Sequence, residues 1–261
     1  MFKNARRIVV KVGTSTITHD TGKTNIKRMS ELVSVLADLM NAGYQVVLVT
    51  SGAIAVGVGK LGLSAKPEDT PGRQAAATVG QCELMFMYDK LFSEYGHIVG
   101  QLLITKSDVE DAERKANLIN TFGKLFDFGA IPIVNENDSV AVEEIVYGDN
   151  DSLSAIVAKL ICADALVILS DIDGLYSENP CENADATLIP TVERITPEIA
   201  ALAGGAGTSR GTGGMATKIH AAQIATSCGI DTVVMNGSNP AAIYELIDGK
   251  SIGTLFKAVK S

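Results

Sequence analysis

The sequence predicts an α/β protein, a three-layer αβα sandwich around one mainly parallel open sheet of about eight strands, with residues 1–261 forming a single domain. Three observations predict it. Short runs rich in β-branched residues recur along the chain, as in strands buried on both faces. Longer stretches with apolar residues three and four apart lie between them, as in amphipathic helices. No linker separates the alternating pieces, and 46% apolar against 20% charged residues is ordinary globular composition.

The elements follow in order. Arg7 to Val12 (RIVVKV) reads as a buried strand interrupted by Lys11. A lysine there is costly unless it pairs, snorkels at an edge or faces a ligand cavity. Gly13-Thr14-Ser15 follows at once and favours the cavity, because such a turn can aim amides and hydroxyls at a phosphate. Asn25 caps a helix carrying Ile26, Met29, Leu32, Val33, Leu36, Leu39 and Met40, and Gly43 stops it. Gln45 to Val49 is a second strand. Thr50-Ser51-Gly52-Ala53 ends it and opens a helix to about Leu61. Two readings of Ser51 stand: a helix cap, or a hydroxyl that holds a carboxylate with the free amides after Gly52. Residues 62–72, with Pro67 and Pro71, read as a loop and possible lid. A long helix is expected over 74–95, a strand over 97–104, a helix over 110–128 after Asp108, and a strand over 131–134.

That strand runs into Asn135-Glu136-Asn137-Asp138, and thirteen residues further on comes Gly148-Asp149-Asn150-Asp151 at the start of an apolar helix. A helix start needs one capping oxygen, so capping leaves two of Asp149, Asn150 and Asp151 without a structural job. A strand over 165–169 leads into Ser170-Asp171-Ile172-Asp173-Gly174, which lacks the remaining ligands of a calcium loop. A short helix over 197–203 precedes six glycines in residues 204–214, then Met215-Ala216-Thr217-Lys218 opens a helix to about Cys228. A glycine loop feeding a helix is a generic phosphate site, although neither a Walker loop nor GxGxxG is present. Lys218 sits in the first turn, where the helix dipole disfavours a cation, and so points to an anionic partner. A strand over 232–235, a helix over 241–247 and an edge strand over 253–256 close the chain. In an open parallel sheet the strand ends at Lys11–Ser15, Ser51–Ala53, Asn135–Asp138 and Ser170–Asp173 gather on one edge, where ligands bind.

Composition limits the partners. A net charge of −8 argues against nucleic acid, and no apolar run reaches membrane-spanning length. The apolar run after Arg6 and Arg7 is too short for a leader peptide. Cys82, Cys162, Cys181 and Cys228 are far apart in sequence, three of them in helix-like apolar contexts. They read as small hydrophobes in a reducing, cytoplasmic compartment rather than as disulfides or zinc ligands. His97 and His220 have no metal-like spacing and read as structural.

Taken in order, KVGTS at 11–15, VTSGAI at 49–54, NEND at 135–138, GDNDSLS at 148–154 and GTGGMATK at 211–218 resemble the glutamate 5-kinase family of the amino-acid kinase superfamily. The match runs on to Gly253-Thr254-Leu255-Phe256. The resemblance implies ATP-dependent phosphorylation of the side-chain carboxylate of L-glutamate, the first step of proline synthesis. It implies that Lys11 and Lys218 contact the phosphates and that Asp151 orients both lysines. Ser51, Gly52, Ala53, Asn135, Asp138 and Asn150 would form the glutamate site. Ser170, Asp171, Thr212, Gly213, Gly214, Met215, Ala216, Thr217 and Lys218 would line the ATP site, and Asp149 would cap or support. Magnesium would ride on ATP with no protein ligand. ATP would fall to the part from about residue 165 and glutamate to the part before it. The resemblance also implies proline as feedback inhibitor and a homo-oligomer, dimer or tetramer. Ser170 stands where threonine is usual, and the C-terminal PUA domain of longer members is not expected. Other superfamily kinases and a non-catalytic amino-acid sensor are the rival readings.

Overall fold

The computed structural model describes residues 5–19, 21–140, 150–183, 185–204 and 214–259. In chain order the elements are β1 (Arg7–Val12), α1 (Thr14–Ile17), α2 (Ile26–Asn41), β2 (Gln45–Thr50), α3 (Ala53–Leu61), α4 (Thr70–Ser93) and β3 (Val99–Ile104). Then come α5 (Lys106–Glu110), α6 (Ala112–Asp127), β4 (Ile131–Glu136), α7 (Asn150–Leu160), β5 (Ala165–Ser170) and β6 (Thr191–Val192). The last are α8 (Pro197–Ala201), α9 (Met215–Ser227), β7 (Asp231–Asn236), α10 (Ala242–Ile247) and β8 (Thr254–Phe256).

The eight strands form one sheet in the order β3-β4-β2-β1-β5-β7-β8-β6, parallel except where β8 runs against β7. From β1 the chain moves to β2 on one side, and β5 returns to pair with β1 on the other. Strand order therefore reverses between β1 and β5, the kind of switch point beyond whose carboxyl ends open parallel sheets bind ligands.

Alternation along β1 decides which face Lys11 joins. Ile8, Val10 and Val12 pack into a core with α2, α3, α4 and α10, whereas Val9 joins the opposite core with α6, α7 and α9. Successive side chains alternate, so Lys11 shares the face of Val9 and points toward α7 and α9. Helices on both faces give the expected αβα layers.

On the first face α3 and α4 pack without side chains between them. A Cβ on Gly57 would lie 1.8 Å from the Ala76 carbonyl oxygen, and one on Gly80 would lie 1.8 Å from that of Ala53. Only glycine admits such backbone contact.

Several boundaries differ from the sequence expectations. α4 begins at Thr70, not 74, because Asp69 accepts from the Gly72 amide and Pro71 occupies the first turn. What read as loop punctuation is a helix start. The helix expected over 110–128 is α6, which starts at Ala112 because the Asp111 side chain caps it, and a short unexpected helix, α5, precedes it. β3 begins at Val99, after His97 has turned its ring to the Ala37 carbonyl. β8 is not the edge strand: β6 pairs beyond it, and two residues are too few to carry a strand pattern. The cysteines are all exposed, not core residues. His220 is likewise exposed on α9.

Candidate active site

Three elements meet near this switch point. β1 delivers Lys11 near its carboxyl end, α7 delivers Asp151 in its first turn, and α9 delivers Lys218. Lys11 Nζ lies 2.5 Å from Asp151 Oδ1, and Lys218 Nζ donates to Oδ2 at 3.1 Å. The Thr217 hydroxyl donates to the same Oδ2 at 2.9 Å. Lys11 and Lys218 are only 6% and 5% exposed and Asp151 is 0% exposed, so water screens these charges little. Burial opposes ionisation of Asp151, but the charges of Lys11 and Lys218, with the hydrogen bonds from Lys11 and Thr217, outweigh it and hold the carboxyl below its ordinary range. The position of Asp151 at a helix start favours the anion further.

The preceding residue serves a different network. Asn150 Nδ2 donates to the Thr50 carbonyl at 2.8 Å, to Ser51 Oγ at 2.9 Å and to Asn135 Oδ1 at 2.9 Å. This settles the two readings of Ser51 in one respect. The residue that caps α3 is Gly52, in the left-handed region at φ 95°, with no side-chain cap bond, and the Ser51 hydroxyl turns to Asn150 instead. Ala53 is the first residue of α3, so the helix-start amides open beside that hydroxyl. Gln81 of α4 joins the network, its Oε1 accepting from Asn135 Nδ2 at 2.8 Å. Sequence reasoning missed Gln81, since a glutamine within a helical pattern carries no signal of its own.

Asp138 lies half-buried just beyond β4. Burial raises its carboxyl above the ordinary value, and Lys66 offsets this in part. A carboxylate destabilised in this way gains from a cationic partner.

Of the residues expected to line the nucleotide site, Gly214 caps α9, Met215 and Thr217 are half-buried in its first turn, and Ala216 is exposed. Ser170 is buried at the end of β5 and donates to Asp171 Oδ1 at 3.2 Å. Asp171 is exposed at the same sheet edge. Thr212, Gly213 and Asp149 fall outside the described residues. The structure thus brings together Lys11, Asp151, Thr217 and Lys218 as one cluster and Ser51, Asn135 and Asn150 as another, joined at the Asn150–Asp151 peptide.

Comparison with known proteins decides the family. A model described as the amino acid kinase family matches residues 6–236. The chain belongs to the amino acid kinase family. Within that family it is similar to a glutamate 5-kinase of Clostridium tetani, 55% identical across 99% of this chain and 97% of that one. A glutamate 5-kinase of Moorella thermoacetica is 56% identical across 98% of this chain but 68% of its own length. A glutamate 5-kinase of Listeria monocytogenes is 50% identical across 99% of this chain and 95% of that one. Solved structures of other kinases share the fold. The isopentenyl phosphate kinase of T. acidophilum superposes with a TM-score of 0.65 at 19% identity, over 96% of this chain and 100% of that one. The UMP kinase of Bacillus anthracis gives 0.64 at 15% identity, over 98% and 97%.

Proposed function

We propose that this amino acid kinase transfers the terminal phosphoryl group of ATP to the side-chain carboxylate of L-glutamate, forming L-glutamyl 5-phosphate in the first step of proline biosynthesis. The observation that carries the proposal is the adjacency of a buried two-lysine cluster and a neutral amide–hydroxyl network at one helix start. The near full-length similarity to glutamate 5-kinases supplies the acceptor.

The chemistry asks little of acid–base groups. A carboxylate is already a nucleophile at neutral pH, and phosphoryl transfer rests on positioning and charge neutralisation. In this reading Lys11 and Lys218 meet the phosphoryl oxygens from two sides, and Asp151 holds both ammonium groups at a fixed separation. Ser51 and the amides after Gly52 receive the α-carboxylate, Asn135 and Asn150 orient it, and Asp138 takes the ammonium. Residues from about 165 to 261 hold ATP, including Ser170, Asp171 and Gly214 to Lys218, and the preceding part holds glutamate.

Magnesium belongs to the nucleotide in this reading. Both oxygens of Asp151 are engaged by Lys11, Lys218 and Thr217. Among the described residues no group of three His, Cys, Asp or Glu could hold a metal.

Feedback inhibition by proline, a homo-oligomeric dimer or tetramer and a cytoplasmic setting belong to the same proposal. Among the described residues no helix is long and apolar enough to cross a membrane.

The test is ADP release with hydroxylamine trapping of the acyl phosphate, using L-glutamate, N-acetylglutamate, aspartate and carbamate, with and without proline. Glutamate-dependent ADP and hydroxamate are expected. Turnover with another acid but not glutamate would reassign the substrate, and no turnover with any of them would sink the kinase reading.

A further inference from the structure

We infer that Gln81, which contacts neither lysine, is a positioning residue that sets the orientation of the acceptor-site amides through Asn135; the inference rests on the glutamate-kinase reading above. Asn135 Oδ1 accepts from two N–H groups, the Glu136 amide and Asn150 Nδ2, each at 2.9 Å. Its Nδ2 must therefore face the other way, toward Gln81. Turning the Asn135 amide over would set three N–H groups against one another, and turning over Gln81 would set its Nε2 against Asn135 Nδ2. The donor and acceptor inventory leaves one arrangement: Gln81 Oε1 receives Asn135 Nδ2, and Gln81 Nε2 is the atom left over.

That left-over atom separates function from stability. Gln81 is 9% exposed, and its Nε2 is buried with no hydrogen-bond partner among the described residues. An unpaired buried donor opposes folding, and native proteins keep few of them. A leucine or methionine at this helical position would remove that donor but leave Asn135 Nδ2 unpaired in its place, so glutamine gains little net stability over either. Glutamine places an acceptor at the one point that locks Asn135, and through it Asn150 and Ser51. The helix that carries Gln81 is itself fixed to the site, because Gly80 lies against the Ala53 carbonyl at the start of α3.

The test is Gln81→Met, which keeps the side-chain length and removes the acceptor. It exchanges one unpaired donor, Gln81 Nε2, for another, Asn135 Nδ2. The melting temperature is thus expected to stay within about 3 °C of wild type. KM for glutamate is expected to rise about tenfold, with kcat and KM for ATP within about twofold. Gln81→Glu keeps an acceptor and is expected to bring KM for glutamate back toward wild type. In an Asn135→Ala background, Gln81→Met is expected to change KM by less than about twofold, because its effect runs through Asn135. Unchanged KM in Gln81→Met would overturn the inference, as would a fallen melting temperature with KM unmoved. So would an equal KM rise in the Asn135→Ala background, or a Gln81→Glu no better than Gln81→Met. The wild-type assay separates the two levels. Without glutamate turnover in wild type the functional reading fails and this inference with it, whereas wild-type turnover with an unaffected Gln81→Met removes the inference alone.

Discussion

The two halves of the site solve opposite electrostatic problems with the same helix. On the side proposed for the phosphates, Asp151 is fully buried yet its carboxyl is held down, because two lysines and a hydroxyl reach it. On the side proposed for the acceptor the linked groups are neutral amides and a hydroxyl, and the carboxylate of Asp138, just beyond β4, is pushed up by burial. The first half carries its counter-charges within the fold. The second leaves a carboxylate that improves when a cation arrives. Pre-organised charge suits a group that must stabilise a transition state, and an under-compensated charge suits one that must recognise a ligand.

The largest effect should come from the lysines. Lys218→Ala is expected to lower kcat by ~10²-fold or more in steady-state assays. If only KM for ATP rose, the phosphate half would be a binding platform and the contrast would fail. Asp151→Asn is expected to follow Lys218→Ala in turnover, with glutamate KM changing much less, because it strands two buried ammonium groups. Asn150→Ala should show the reverse split, with KM for glutamate up by about tenfold and a smaller fall in kcat. An equal loss of kcat in both variants would show that the halves are not separable. Asp138→Asn tests the under-compensated charge. Its folded pKa lies above the unfolded value, so ionisation near neutral pH opposes folding, and this penalty fades as pH falls through that raised pKa. The amide should therefore raise both KM for glutamate and, by a few degrees at about pH 7.5, the melting temperature. The smallest effect is the acid limb of stability. Asp151 has its folded pKa below the unfolded value, so its contribution is present above about pH 4 and is lost as pH falls through the folded pKa. Denaturant titrations from about pH 5 downward should show a steeper loss for wild type than for Asp151→Asn.

How much of this was legible depended on whether the signal was local. Lys11 announced itself as a cation inside a β-branched strand, and Lys218 as a cation at the wrong end of a helix. Their shared partner did not. Asp151 was one of three polar residues competing for a cap, and only the family resemblance linked it to both lysines. Ser51 was ambiguous because a serine before a helix looks like a cap, and only the left-handed Gly52 excludes that role. Gln81 was invisible because its partner Asn135 is 54 residues away. The layered architecture was readable from alternating patterns. The start of α4 was not, since Pro-Gly punctuation serves loops and first turns equally. Two-residue β6 has no period to read.

Asn150 and Asp151 are neighbours in the first turn of α7, one facing each half. That adjacency constrains how the protein can diversify. A shift or roll of α7 that admits a different acceptor also moves the anchor of both lysines, so such a change is penalised in turnover before it can be rewarded in specificity. If the proposed acceptor site is right, new acceptors are most accessible through substitutions that leave α7 in place, at Ser51, Asn135 or Asp138.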